Sequence, residues 1–389
     1  MCDNTINKPL EILEYKVLGS LPDPFVMNSG ERIKSPSAWE ERRREIYKTA
    51  VELQYGTQPP EPEVLEVEPL YESEKGSTYR IKAGTREKTV SFTMKLIRPG
   101  QSIQKSLPVG KPAVIIDGDL SFNYAFDRNF LDPALDSGIA FALFDRTELA
   151  PDIRKRERRT GPLYDVYPEY TFGAIGAWAW GYSRCADALE IIGLTNNDCM
   201  VFSGHSRGGK TAMLAGALDE RARIVNPNET CAGACGCYRI HMTGKNGAFV
   251  HRSETLRDLW NVFGFWIGPE MEKYADKEEN LPFDAHFLKA MVAPRVLLVG
   301  EAASDMWANP VGSWQTSMAA AEVFSYLGAK ENMLWYFRNG NHAHDKYDIE
   351  MLVDVINREV KGTALQGKYF NTPFTEPELI YSWKMPKEQ

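Results

Sequence analysis

The sequence predicts a three-layer α/β sandwich, in which helices cover both faces of a mostly parallel central sheet. After Pro112, short apolar runs alternate with helical stretches, the pattern of parallel strands joined by crossover helices. Before that point, three strand-like runs follow one another through glycine-containing and charged turns, which indicates antiparallel pairing. We therefore expect one α/β domain over residues 1–389. Residues 1–110 form an antiparallel N-terminal extension of the same sheet, and residues 111–389 form the core.

The N-terminal extension begins with a helix, predicted over residues 37–52, where the side chain of Ser37 can cap the first turn. The strand-like runs follow at residues 64–70, 77–81 and 90–97. Each is rich in β-branched, aromatic or aliphatic residues and is bounded by charged or glycine turns. Consecutive strands of this kind pair most simply with their neighbours, so these three are expected to form the antiparallel part of the sheet.

The core alternates strand and helix. Its predicted strands cover residues 113–116, 139–144, 199–203, 223–226, 295–300 and 333–337. Its predicted helices cover residues 172–191, 207–219 and 314–327. Sheets of this type carry their functional side chains at the carboxyl ends of the strands. Polar residues that directly follow these strands are therefore the first candidates for a site.

Composition excludes several classes of function. The chain has 45 Lys and Arg against 53 Asp and Glu, a net charge of −8, so no nucleic-acid partner is expected. No run of 18 apolar residues occurs, so no membrane partner is expected either. The N-terminus lacks the apolar segment of a signal peptide, which predicts a cytoplasmic chain if it is full length, and a secreted one if a leader was removed. Six cysteines are too few for a disulfide scaffold.

The clearest chemical motif is Gly-His-Ser-Arg-Gly at residues 204–208, a G-x-S-x-G match. An apolar run enters it and the predicted helix from residue 207 leaves it. This is the strand–turn–helix setting of the α/β-hydrolase nucleophile elbow, which lifts the serine out of a tight turn at the sheet edge. Ser206 is therefore the predicted nucleophile. The alternative is a helix start that happens to contain serine and glycine.

A serine nucleophile needs a histidine base, and the hydrolase order places that histidine after the last strand. His342 follows the strand predicted at 333–337 through a Gly-Asn loop, so it is the preferred base. His344, two residues further on, is its rival. His286 fits a structural helix position better, and His205 lies inside the elbow, too close in sequence to reach back as the base.

The histidine in turn needs an orienting carboxylate, and two acids compete for that role. Glu229 follows the strand after the elbow helix, whereas Asp305 follows the next strong strand. Ordinary hydrolase topology favours Asp305. Each also has a bland interpretation as a loop carboxylate that caps a helix. Sequence spacing does not separate them.

Longer motifs resemble carbohydrate esterase family 15, the glucuronoyl esterases, over most of the chain. They occur in the family's order, which makes them far more specific than the elbow alone. The similar segments are LPDPF (21–25), WEERR (39–43), GAWAWGYSR (176–184), GHSRGGK (204–210), LPFDAH (281–286), APR (293–295) and DMWA (305–308). The last three resemble its bacterial branch.

The resemblance implies an α/β-hydrolase fold, no cofactor and a Ser-His-Glu triad of Ser206, His342 and Glu229. Some bacterial members carry a carboxylate at the position of Asp305, which stays the alternative acid. Arg207 is implied in stabilising the oxyanion.

The same resemblance implies a sugar-binding group. Lys210 would bind hydroxyls of the uronate, Trp307 would cover the sugar with its aromatic face, and Glu254 would add a further carboxylate. The alternative for Lys210 is a surface lysine with a buried stem, and for Trp307 a core tryptophan.

The chain also departs from the family. Fungal members bridge a cysteine before the nucleophile to one after the histidine, and these positions hold His205 and Ala343 here. Cys231, Cys235 and Cys237 follow Glu229 closely, but they lack a paired C-x-x-C, so no metal site is predicted.

The resulting hypothesis is a serine carboxylesterase that hydrolyses esters of glucuronic or 4-O-methylglucuronic acid with an alcohol. Its partner would be a glucuronate ester or a glucuronoxylan-derived oligosaccharide, and a monomer is expected. An acetyl-xylan-type deacetylase is the nearer alternative. A catalytically silent carbohydrate-binding homologue is the alternative of another class.

Overall fold

The centre of the fold is a nine-stranded sheet, in a computed structural model that describes residues 11–100, 103, 112–121, 127–153, 159–194, 200–246, 249–372, 374 and 378–387. With strands numbered in chain order, the sheet runs from edge to edge as β12 (Met333–Arg338), β11 (Val296–Ala302), β8 (Ala222–Asn228), β7 (Met200–His205), β5 (Val114–Asp117), β6 (Ala140–Phe144), β4 (Thr89–Ile97), β3 (Gly76–Gly84) and β2 (Val64–Glu72). The first six are parallel, and β6, β4, β3 and β2 pair antiparallel in succession. The predicted mixed sheet is confirmed, including its antiparallel extension. Cys199, the first residue of one predicted strand, lies outside the described residues.

The helices among the described residues are α1 (Trp39–Ile46), α2 (Leu53–Tyr55), α3 (Arg128–Asp136), α4 (Pro162–Val166), α5 (Ala174–Ile191), α6 (Arg207–Leu218), α7 (Leu256–Phe263), α8 (Ala285–Ala290), α9 (Pro310–Tyr326) and α10 (Lys346–Lys361). A π-helical segment, Tyr47–Glu52, joins α1 to α2, so the predicted first helix continues to Tyr55. Its predicted cap is wrong. Ser37 lies in a 3-10 turn before α1, and its hydroxyl hydrogen-bonds the Ser35 Oγ at 2.8 Å.

The three layers follow from strands that are buried on both faces. In β5, Ile115 packs on the side of α3 and α10, whereas Val114 and Ile116 pack on the side of α5 and α6. Because neighbouring side chains of a strand point to opposite faces, a continuous apolar run buries both. Crossover helices can then cover each face of the parallel part.

A second, three-stranded sheet was not predicted. It consists of β1 (Glu11–Val17), β9 (Ile240–Asn246) and β10 (Phe249–Arg252), with β9 in the middle. β1 pairs antiparallel with β9, from Val17 opposite Ile240 to Glu11 opposite Lys245. The partners lie more than 200 residues apart in the chain, and two glutamates and a lysine occur in β1. Local patterning therefore had no basis for pairing them.

The topology brings together the residues that carry the candidate chemistry. Ser206 joins β7 to α6, Glu229 follows β8, Asp305 follows β11 and His342 follows β12. All four lie at the carboxyl edge of the parallel strands, where such sheets place their sites. Among the described residues, no helix combines the length and apolar character that crossing a bilayer would require.

Candidate active site

Ser206 sits in a strained turn between β7 and α6. Its φ is 55° and its ψ is −122°, a conformation that a non-glycine residue adopts only when its surroundings enforce it. A Cβ on Gly204 would lie 2.5 Å from the Gly208 carbonyl oxygen, so this close approach requires glycine. The Ser206 N–H donates to the Asn228 carbonyl at 2.9 Å, which ties the turn to β8. The elbow predicted from sequence is therefore present, and its tight packing requires the glycine at position 204.

The serine hydroxyl meets one of the two candidate histidines directly. His342 Nε2 lies 2.9 Å from Ser206 Oγ, and His342 Nδ1 lies 2.6 Å from Asp305 Oδ2. The His342 side chain is 35% exposed, whereas that of Asp305 is 3% exposed. The histidine next to the serine therefore faces solvent, and its carboxylate partner is buried. A hydrogen-bonded series of serine, histidine and carboxylate of this kind activates a serine nucleophile.

The second carboxylate, Glu229, lies beside this series. Its Oε2 lies 3.4 Å from His342 Nδ1, against 2.6 Å for Asp305 Oδ2, so Asp305 makes the closer contact with the histidine. The physical reason is that Glu229 is occupied elsewhere. Its Oε2 accepts from the Ala343 N–H at 2.9 Å and contacts His205 Nε2 at 3.2 Å, while its Oε1 accepts from Arg338.

Arg338 is a central residue of the site that the sequence analysis missed. It ends β12, is 3% exposed and is hydrogen-bonded to Glu229, to Asp348 at 2.9 Å and to the Ala343 carbonyl. Burial raises the pKa of the Glu229 carboxyl well above its ordinary value, and Arg338 opposes that shift. Burial likewise raises the pKa of Asp348 to about 6, against the same arginine. A single cation thus links the histidine loop, β8 and α10.

The other histidines of the region do not reach the serine in this arrangement. The His344 ring stacks on His205 with centroids 5.5 Å apart, and its Nε2 lies 3.5 Å from the Asn228 amide nitrogen. The His205 ring lies 4.7 Å from that of His342. Burial lowers the pKa of His344 to about 3 and that of His205 well below its ordinary value, so both are neutral at pH 7.

Arg207 leaves the elbow toward a separate group of side chains. Its Nη1 donates to Asp152 Oδ2 at 2.7 Å, and its guanidinium lies 4.8 Å from the centre of the Trp266 ring. Its side chain remains 30% exposed. A guanidinium has five N–H donors, and the contact with Asp152 uses one of them.

The three predicted sugar-binding residues come together. Lys210 is 2% exposed, and its Nζ donates to Glu254 Oε2 at 2.9 Å and to the Ala232 carbonyl, so it is not a surface lysine. The Glu254 N–H donates to the Trp307 carbonyl at 3.1 Å. The Trp307 side chain is 38% exposed, so it is not a core tryptophan. Lys210 lies one turn after Ser206 in α6, which connects this group to the nucleophile.

Comparison with known proteins decides the family. The family model described as glucuronyl esterase, fungi, matches residues 81–328, more than half of the chain. The chain is also 30% identical to a 4-O-methyl-glucuronoyl methylesterase of Podospora anserina over 364 residues, covering 92% of this chain and 70% of that relative. The chain belongs to the glucuronoyl esterase family.

Solved glucuronoyl esterases share the whole architecture. A carbohydrate esterase family 15 glucuronoyl esterase from Caldicellulosiruptor kristjansonii matches with a TM-score of 0.83 and 28% identity, covering 95% of this chain and 98% of that one. A glucuronoyl esterase from Sporotrichum thermophile in complex with methyl 4-O-methyl-β-D-glucopyranuronate matches with a TM-score of 0.73 and 25% identity, covering 94% and 92%. The resemblance and the α/β-hydrolase fold predicted from sequence are confirmed. As a glucuronoyl esterase family member, the chain is a carboxylic ester hydrolase.

One departure from fungal glucuronoyl esterases has a structural counterpart. His205 and Ala343 occupy the two positions expected to hold the bridging cysteines, and both contact Glu229 Oε2. The carboxylate therefore joins the elbow to the histidine loop without a covalent bond. Among the described residues, Cys185, Cys231, Cys235 and Cys237 are free and buried.

In the glucuronoyl esterase site, His205, Glu229 and His342 offer three potential metal-donor atoms within 4.8 Å of one another. Each residue already has a partner in the hydrogen-bonded network: Glu229 with Arg338 and Ala343, His342 with Asp305, and His205 with Glu229. A cation would have to displace these contacts. The arrangement thus fits proton transfer better than metal binding.

The buried histidine of α8 makes stability depend on pH. Burial lowers the pKa of His286 to about 4, and its Nε2–H donates to the Pro22 carbonyl at 2.8 Å. Between pH 6.5 and 4, His286 binds a proton in the unfolded chain but not in the folded one. The stability that neutral His286 contributes to the fold is therefore full above pH 6.5 and is lost as pH falls. Relative to His286→Gln, the wild type should lose up to about 1.4 kcal/mol of unfolding free energy per pH unit across this window. Urea unfolding of both proteins at pH 7.5 and 5 measures the difference, and a constant difference would contradict the expectation.

Proposed function

We propose that this protein hydrolyses esters of glucuronic acid or 4-O-methylglucuronic acid with an alcohol, through an acyl-enzyme on Ser206. The single observation that carries the proposal is the juxtaposition of the Ser206–His342 pair with the buried Lys210–Glu254 pair and the exposed Trp307. The first pair supplies the ester chemistry, and the second group supplies a buried charged pair beside an exposed aromatic ring, which together suit a sugar. The substrate carried by the Sporotrichum thermophile relative, a methyl ester of such a uronate, supports the same assignment.

In the proposed reaction, Ser206 Oγ attacks the C6 carbonyl carbon of the uronate while His342 Nε2 takes its proton. The negative charge that develops on the carbonyl oxygen is stabilised by Arg207 and by the backbone N–H after the nucleophile. His342 then returns the proton to the leaving alcohol, and the acyl-enzyme remains. A water molecule, deprotonated by His342, attacks the acyl carbon, and the serine leaves with the proton. The products are the alcohol and the free uronate.

The two carboxylates have separate roles in this proposal. Asp305 orients His342 and stabilises its imidazolium, because it makes the 2.6 Å contact to Nδ1. Glu229 keeps the loop that carries His342 in place, through its bond to the Ala343 N–H and its pairing with Arg338. This division differs from the Glu229 triad expected from the resemblance.

Sugar recognition is assigned to the neighbouring group. Lys210 uses two of its three N–H donors on Glu254 and Ala232, so a third is available for a sugar hydroxyl. The Trp307 ring offers an apolar face that can cover the sugar C–H groups. Such a site would accept a glucuronate ester alone or as part of a glucuronoxylan-derived oligosaccharide.

Trp307→Ala tests the proposed function. Because the ring would contact the uronate but not a small acyl group, we expect kcat/KM on benzyl glucuronate to fall about 10-fold and that on 4-nitrophenyl acetate to change by less than about 2-fold. Initial rates on both esters, for wild type and variant, measure this selectivity.

Tyr71→Ala is the matched control, since Tyr71 is another exposed aromatic residue, 63% accessible, on the distant edge strand β2. It should leave both activities unchanged. Wild-type turnover of the acetate without the glucuronate would refute the uronate assignment and favour a deacetylase. Equal losses on both esters in Trp307→Ala would remove the tryptophan from sugar recognition.

A further inference from the structure

Asp152 lies in the loop after β6 and holds the functional end of Arg207. Its two carboxylate oxygens accept from different donors: Oδ2 from Arg207 Nη1 at 2.7 Å, and Oδ1 from the Trp266 indole N–H at 3.0 Å. The aspartate side chain is 12% exposed, whereas Arg207 is 30% exposed. The contact is therefore a partly buried ion pair, which is stronger than one in open solvent.

Aromatic rings fix the second side of the guanidinium. Arg207 lies 4.8 Å from the centre of the Trp266 ring and 5.4 Å from that of Phe263, and the two rings stack with centroids 3.8 Å apart. A guanidinium over an aromatic face gains a cation–π attraction. Asp152 and the two rings thus restrain both the orientation and the position of the Arg207 guanidinium.

The group that restrains Arg207 is itself rigidly packed. The backbone of Trp266 is so close to Gly173, at the start of α5, that a Cβ there would collide with it. Behind Asp152 lies Arg146, 1% exposed, whose Nη2 is 3.9 Å from Asp152 and whose guanidinium lies 5.0 Å from the Trp178 ring. A clamp built on buried residues can hold a flexible side chain at one position.

We propose that Asp152 is a positioning residue for ester hydrolysis, which together with the Trp266 indole holds the Arg207 guanidinium where the carbonyl oxygen becomes negative. The inference rests on the proposed function, in which Arg207 stabilises that oxygen. A free arginine side chain has several rotatable bonds, and ordering it during the reaction would reduce its effect on the barrier. Asp152 orders the Arg207 side chain before the reaction begins, and the contact uses one of the five N–H donors of the arginine.

Asp152→Asn is the informative change because it preserves the shape of the side chain but removes one of its two hydrogen-bond acceptor oxygens. An amide has one acceptor oxygen, so either Arg207 or the Trp266 indole would then face an N–H donor. We expect kcat to fall about 10- to 100-fold, with KM changed by less than about 3-fold, because a donor misplaced by an ångström acts on the transition state rather than on binding. The losses should be alike on benzyl glucuronate and 4-nitrophenyl acetate, since both form an oxyanion.

A double-mutant cycle with Arg207→Met separates positioning from folding. If Asp152 acts through Arg207, adding Asp152→Asn to Arg207→Met should lower kcat no further. An equal loss in both backgrounds would overturn the proposal, as would wild-type kcat in Asp152→Asn. Trp266→Phe keeps the ring but removes its N–H, so it should lower kcat only a few-fold and serves if Asp152→Asn is poorly folded.

Asp187→Asn is the matched control. Asp187, in α5, also receives two arginine N–H groups, from Arg184 at 2.5 Å and from Arg221 at 2.7 Å. Arg221 follows the far end of the 12-residue α6, which is about 18 Å long and begins at the elbow. Its substitution should leave kcat on either ester unchanged. If wild type hydrolyses only the acetate, the uronate assignment fails, yet the cycle on that ester still decides the role of Asp152.

Discussion

Replacing Ser206 by alanine is expected to reduce kcat on benzyl glucuronate by about 10⁴-fold or more, with little change in the affinity for the uronate. The hydroxyl that forms the acyl-enzyme would be gone, and His342 would have no proton to accept at 2.9 Å. Only the groups around the carbonyl oxygen would still assist attack by water. Initial-rate kinetics of acid release, together with binding of the free uronate, measure the two effects separately.

Ser137→Ala provides the control for this loss. Ser137 caps the far end of α3, where its hydroxyl donates to the Pro133 carbonyl at 2.8 Å, and its loss should leave kcat unchanged. A phosphonate probe should label the wild type on Ser206 and fail to label Ser206→Ala. Turnover of Ser206→Ala within about 10-fold of wild type would contradict covalent catalysis by this serine.

Asp305→Asn is expected to lower kcat by about 10³- to 10⁴-fold while leaving the fold intact. The amide can still cap the turn that carries Trp307, because its oxygen can accept from the Ala308 N–H as Asp305 does at 3.3 Å. It would instead favour the wrong histidine tautomer and would no longer stabilise the imidazolium that forms during the reaction. Single-turnover and steady-state kinetics of the variant, with thermal unfolding as the structural check, measure the loss.

Glu229→Gln should give the opposite balance between activity and stability. It removes one of the two buried carboxylates that pair with Arg338, so we expect the free energy of unfolding to fall by about 2–4 kcal/mol. We expect kcat to fall by at most about 10²-fold, because Asp305 still contacts His342. If instead Glu229→Gln lost more activity than Asp305→Asn, Glu229 would be the orienting acid and the 2.6 Å contact would not be the functional one.

Much of this architecture could be predicted because it depends on patterns of neighbouring residues. Apolar runs with two buried faces marked the six parallel strands, and the G-x-S-x-G turn between a strand and a helix marked Ser206. The position of a histidine after the last strand marked His342. Such signals depend only on neighbouring residues, so one sequence suffices to detect them. The pairing of β1 with β9 lacked such a signal, because it joins distant and partly charged segments, whereas β9 and β10 form a local antiparallel pair that the sequence analysis did not predict.

By itself the sequence predicted the strands and helices of the α/β core, the candidate nucleophile Ser206 and base His342, and the family to which the chain belongs. Only the tertiary structure decided which acid touches His342, and it revealed Arg338 and Asp152 as partners of the site. It also paired Lys210 with Glu254, which lie 44 residues apart in the chain. The physical reason is that a hydrogen bond depends on a few tenths of an ångström and on the competing partners of each atom. Those partners are set by how strands and loops pack, whereas the positions of strands and turns along the chain follow from residues that are adjacent in sequence.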